Sequence, residues 1–134
     1  MPFVLDASVA ATWAFEDESH PDAALALARL QHDGARVPSL WWFELRNALL
    51  VNERRGRITE AGTAGFLRDI GRLAIGIDRS PEGAALLTIA RRHRLTVYDA
   101  AYLELAQRED LPLASLDAAL RAAAAASGVQ LLGG

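Results

Sequence analysis

Five short apolar runs, none long enough for a helix, punctuate this chain of 134 residues: FVL (3–5), ARVP (35–38), AIGI (74–77), LPLAS (111–115) and VQLL (129–132). They lack the polar alternation of a strand with one wet face, which is the pattern of strands covered on both sides. Helical segments fill the gaps. Residues 8–15 make a short one, and PDAALALARLQHDG begins on Pro21 and stops at Gly34. LWWFELRNALLVNERRG stops at Gly56, with Arg54 and Arg55 set against its negative end. TEAGTAGFLRDIGRL starts from Thr59 and PEGAALLTIARRHR from Ser80 and Pro81; DAAYLELAQRED and DAALRAAAAASG follow, the last ending at Gly128. Strands alternating with helices specify an α/β fold, a mainly parallel central sheet of about five short strands flanked by helices. No linker, repeat or low-complexity stretch interrupts the pattern, so residues 1–134 are expected to form a single domain.

In an open parallel sheet, ligands bind beyond the carboxyl ends of the strands, where the following helices begin. Three aspartates fall at such junctions: Asp6 after FVL, Asp99 after LTVY and Asp117 after LPLAS. Each alone has an ordinary explanation as a helix N-cap, accepting bonds from free amides and complementing the dipole. Glu44 does not. It lies inside SLWWFELRNALL, and its helical neighbours Leu40, Trp41, Asn47 and Ala48 make a largely apolar face. A carboxylate there is protonated, hydrogen-bonded, paired with an Arg at the rim, or bound to a cation. Four carboxylates converging on one pocket without a cation repel one another and raise their own pKa values. Oxygen-only, acid-rich sites select hard divalent ions, Mg²⁺ or Mn²⁺. Such sites serve phosphoryl chemistry, where the ion activates water and neutralises charge developing on phosphorus oxygens. Ser8 and Ser115 stand two residues from Asp6 and Asp117, and their hydroxyls can steady a carboxylate or simply cap a turn.

Composition narrows the alternatives. The chain has no Cys, which excludes disulfides and thiolate zinc sites. The opening MPFVLDASVA has no basic leader, and no run approaches the roughly 18 apolar residues of a membrane span, so a soluble cytoplasmic protein is expected. There is no G-x-S-x-G elbow and no phosphate-binding glycine loop, and His20, His32 and His93 are scattered without metal-ligand spacing. All fourteen basic residues are Arg. Residues 46–94 hold ten of them against five acids, while residues 1–28 hold five acids and no Arg. A basic middle between acidic ends suits a polyanion lying across part of the surface, as it also suits solvated helix faces. Arg54, Arg55 and Arg57 in NERRGR, and Arg91, Arg92 and Arg94 in ARRHR, are the candidates for phosphate contact. Trp13, Trp41 and Trp42 read as core or subunit contacts.

The stretches FVLDASV, VPSLWWFELRNALL, LTVYDAAYLELA and LPLASLDAALRAAAAASGVQLL, in order over essentially the whole length, resemble the PIN-domain ribonucleases, specifically the VapC-type toxins of bacterial toxin–antitoxin pairs. The resemblance implies a PIN-like α/β/α sandwich and maps the family's acidic quartet onto Asp6, Glu44, Asp99 and Asp117. It also implies a Mg²⁺- or Mn²⁺-dependent endoribonuclease, commonly a homodimer, inhibited by a cognate antitoxin whose C-terminal segment obstructs the site. Family members usually carry Thr where Ser115 stands, a change that keeps the hydroxyl. On that footing Asp6, Glu44 and Asp99 share a divalent ion, with Asp117 nearby as a direct or water-mediated ligand or as the site of a second ion. The RNA target is expected to be single-stranded or looped, with unstacked bases. Two rival readings stand beside this one. A phosphatase or phosphotransfer domain would use Asp6 as nucleophile, but Ala7 and Ser8 supply no second acid beside it. A catalytically inactive PIN-like module would only bind RNA or protein, and the intact quartet argues against it.

Overall fold

Four of the five apolar runs form strands, and all pair in parallel. A computed structural model describes residues 1–133. The strands are β1 (Phe3–Leu5), β2 (Ala35–Pro38), β3 (Ile75–Asp78) and β4 (Leu113–Ala114), in the order β3-β2-β1-β4. Phe3 and Val4 pair with Ala35 and Arg36, and Val4 and Leu5 pair with Leu113 and Ala114. Phe3, Val4 and Leu5 are all fully buried, as a continuous apolar run at the centre of a covered sheet requires. The expected fifth strand, VQLL, is reduced to one parallel bridge between Leu131 and Leu113. Its partner β4 is only two residues long and leaves no further register to extend.

The helices are α1 (Ala7–Thr12), α2 (Pro21–Asp33), α3 (Leu40–Arg54), α4 (Glu60–Ile70), α5 (Gly83–His93), α6 (Val97–Glu109) and α7 (Ala118–Ala126). Several begin or end away from the expected residue, for identifiable reasons. Helix α5 starts after Pro81 because the Glu82 carboxylate, not Ser80, accepts from the amides of Ala84 and Ala85. Helix α6 starts before Asp99 because the Thr96 hydroxyl accepts from the Asp99 amide. Asp99 is therefore the third residue of a helix that follows another helix, and no strand precedes it.

Helix α6 is the central strut. Every residue from Ala100 to Ala106 is buried, which removes the amphipathic signature of a surface helix. One of those residues is an acid. Glu104, 3% exposed, and Asp78 at the end of β3, 7% exposed, both grip Arg108. Arg108 Nη2 lies 2.6 Å from Asp78 Oδ2, and Nε lies 2.8 Å from Glu104 Oε2. Arg36 on β2 adds a looser contact to Asp78 at 3.8 Å. The network bolts α6 to the β3 edge of the sheet.

Bonding to Arg108 holds the Asp78 carboxyl below its ordinary 3.8. A carboxyl with a lowered folded-state pKa stabilises the fold above its unfolded value and loses that contribution as pH falls through the folded one. Arg108→Ala leaves two buried acids without their partner and is expected to cost about 3 kcal/mol in urea denaturation at pH 7. The same variant should show a shallower loss of stability below pH 3.8 than the wild type.

Candidate metal centre

Asp6 follows β1 and occupies the N-cap position of α1, yet its carboxylate makes no capping bond. It is held from elsewhere. Its Oδ2 accepts from Ser8 Oγ and from Ser115 Oγ, each at 2.7 Å. Each serine oxygen in turn accepts a backbone amide: Leu116 N–H donates to Ser8 Oγ and Asp117 N–H to Ser115 Oγ, both at 3.0 Å. The two hydroxyls thus pass the polarity of the turn after β4 onto one oxygen of Asp6. Ser115 is further fixed through its carbonyl, which accepts from Arg121 Nη1 at 2.9 Å.

Glu44 lies one turn into α3, beside the face of the helix that buries Trp41, Leu45 and Leu49. Its Oε1 accepts from the Tyr102 hydroxyl at 2.5 Å. The Tyr102 ring is fully buried in α6, and its oxygen lies 3.4 Å from the Ala7 amide that donates to it. Asp99 sits one turn before Tyr102 on the same helix. Asp117 does cap α7, accepting from Leu120 N–H at 2.9 Å.

All four carboxylates line a single cleft of about 230 Å³, together with Ala7, Ser8, Ala11 and Ala48. The small side chains leave the space that the acids border. Burial pushes the carboxyls of Asp6, Glu44 and Asp99 above their ordinary values, and the neighbouring acids add to the effect. The Tyr102 phenol is pushed far up by burial and by Asp6 and Glu44, so it stays a proton donor. None of the lining residues is cationic. Among the described residues, no three His, Cys, Asp or Glu side chains are placed close enough together to hold a metal ion as they stand. The donor set nonetheless fits a hard divalent ion by its chemistry: oxygen-only and acidic, with no cation among the residues that line the cleft.

The predicted arginines are not part of this cleft. Arg54 and Arg55 lie at the far end of α3, about 15 Å along the axis from Glu44. Arg91 and Arg92 are exposed on the last turn of α5, and Arg94 caps it in the left-handed conformation at φ 55°. Arg57 is engaged within the protein: its Nη2 is 3.1 Å from Asp17, its Nη1 donates to Asn52 at 2.7 Å, and it covers the Phe15 ring at 4.4 Å. Of the tryptophans, Trp41 is buried and Trp42 exposed. Tyr102 was not singled out from the sequence. Its signal was a hydroxyl three positions after Asp99, in a segment otherwise apolar on that side.

A parallel α/β sheet with four acids gathered at one cleft is the arrangement of a particular class of small domain. The chain belongs to the PIN domain family, whose model matches residues 3–126. PIN domains are generally nucleases. Its fold is similar to that of PAE2754 from Pyrobaculum aerophilum, 24% identical with a TM-score of 0.73, over 92% of this chain and 84% of that one. It is also similar to FitAcB from Neisseria gonorrhoeae, 18% identical with a TM-score of 0.59, over 98% of this chain and 96% of that one. No curated protein matches the chain. Among the described residues no helix is long and apolar enough to cross a membrane.

Carboxyls with raised folded-state pKa values stabilise a fold below their unfolded values and weaken it as pH rises from there to the folded ones. In chelator, the contribution of Asp6, Glu44 and Asp99 should therefore decline as pH rises from about 4 toward neutrality. Asp6→Asn keeps an acceptor for both serines and removes one charge. Its Tm at pH 7 in chelator is expected to exceed the wild-type value, measured by thermal denaturation.

Proposed function

We propose that this chain is a divalent-metal-dependent endoribonuclease, the toxin of a type II toxin–antitoxin pair of the VapC kind. The observation that carries the reading is the convergence of Asp6, Glu44, Asp99 and Asp117, from four separate elements, on one cleft whose lining holds no compensating cation. Asp6, Glu44 and Asp99 would hold Mg²⁺ or Mn²⁺, with Asp117 beside them as a direct or water-mediated ligand or as the place of a second ion. When bound, the ion supplies a lowered water pKa and neutralises charge on the phosphorus oxygens.

The protein's own contribution is positional. Ser8 and Ser115 keep Asp6 from turning to its capping role, and Tyr102 keeps Glu44 from pairing elsewhere. Hydrolysis in line leaves a 5′-phosphate and a 3′-hydroxyl. Exposed Arg54, Arg55, Arg91, Arg92 and Arg94 draw a polyanion to the surface by field. Arg57, already paired, contributes less. The partners under this reading are an RNA substrate, a cognate antitoxin and a second copy of the chain, in the cytoplasm.

Purified protein incubated with RNA in Mg²⁺, Mn²⁺ or chelator is expected to cleave only with metal. Asp6→Asn and Asp99→Asn should each abolish cleavage while remaining folded by circular dichroism. Activity retained in both variants would overturn the assignment, and binding without cleavage in the wild type would favour an inactive module. Tyr102→Phe, which removes the donor to Glu44 but keeps the ring, should lower cleavage or metal affinity about 10- to 100-fold.

A further inference from the structure

Two large rings stand in the open directly beside the acids. Phe43, 69% exposed, is the chain neighbour of Glu44, and Tyr98, 65% exposed, is the chain neighbour of Asp99. Their positions are coupled through the site. Glu44 on α3 and Tyr102 on α6 share the 2.5 Å hydrogen bond, which ties the two helices together at the cleft. Leu40, one turn before Phe43 and Glu44, borders the same shallow cavity as Val97 and Tyr98. Phe43 is also braced: the Trp42 ring meets it edge-on at 5.1 Å, and the Arg46 guanidinium covers Trp42 at 3.5 Å. Exposing two such rings costs hydrophobic free energy that a folded chain alone does not recover.

We propose that Phe43 and Tyr98 are stacking platforms for unpaired bases of the RNA adjoining the phosphate to be cleaved. This rests on the nuclease reading. None of the arginines lines the acidic cleft, whereas two exposed rings are the chain neighbours of two of its acids. A nucleic-acid chain passing four carboxylates gains nothing from bare charge at that point, and a π-face accepts any base. Stacking of this kind is open only to bases not paired within a helix, which makes a single-stranded or looped segment the substrate. It also assigns separate tasks: the distant arginines act on the phosphate backbone, and the two rings set how the strand lies across the acids.

The test uses the full chain carrying Asp6→Asn, so that RNA stays intact, with a short fluorescein-labelled unstructured RNA read by anisotropy. Phe43→Ala and Tyr98→Ala are each expected to weaken binding about tenfold. Phe43→Tyr and Tyr98→Phe should restore it. The salt dependence of binding should keep its wild-type slope, because no phosphate contact is lost. An abasic site beside the scissile position should abolish the effect of the corresponding alanine. Unchanged affinity in both alanine variants would overturn the proposal. So would an affinity loss that tracks a dimer-to-monomer change in light scattering, since the rings would then belong to a contact between copies of the chain. In the cleavage-competent protein the two readings separate: undiminished cleavage without the rings refutes this one alone, whereas ring-dependent binding without cleavage refutes the nuclease reading alone.

Discussion

The carboxylate of Asp6 is the point on which the site is assembled. It sits at the end of a fully buried strand, where a charge is costly to place. Two serine hydroxyls from different parts of the chain meet on a single one of its oxygens, and each is pinned by a backbone amide of the turn after β4. This small network does more than satisfy a polar group. It joins the carboxyl ends of the two adjacent strands β1 and β4, and so sets where α1 and α7 begin relative to each other. Asp117, which starts α7, takes its place in the cleft from the same junction.

Helix α6 supplies the other half of the geometry. Its first two turns carry Asp99 and Tyr102, and its C-terminal turn carries Arg108, locked to Asp78 and Glu104. Because the segment between is buried on all sides, the helix has little freedom to slide or rotate. The position of Glu44 is then read from α6 through the Tyr102 hydroxyl, not from α3 alone. A catalytic constellation needs such support, since a misplacement of about 1 Å is costly.

Much of this was legible from residue order. The run FVL ending in Asp6 and the run LPLAS before Asp117 marked strand ends because continuous apolar triplets bounded by a carboxylate have few other readings. Glu44 stood out because a helix cap cannot explain it. What remained hidden depended on tertiary context. LTVY looked like the close of a strand because it is a mostly apolar run ending in a carboxylate, and only the Thr96 cap reveals that the helix begins at Val97. VQLL has strand composition but meets a partner two residues long. Tyr102 lay in plain view, but a tyrosine in an apolar helix is ordinarily core, and its link to Glu44 spans 58 positions. Arg57 looked as available as its neighbours until Asp17, distant by 40 positions, proved to hold it.

The bond from Ser115 to Asp6 closes a loop of 109 positions. During synthesis the ribosome therefore releases Asp6, Glu44 and Asp99 long before the strand that steadies the first of them, and before Asp117 itself. A partly made chain can form helices and hydrophobic contacts locally, but pairing across so great a separation comes late. Until β4 has emerged and docked against β1, Asp6 lacks its Ser115 donor and the cleft lacks Asp117. Arrival of β4 beside β1 is thus built into the topology as the condition for a complete acidic site.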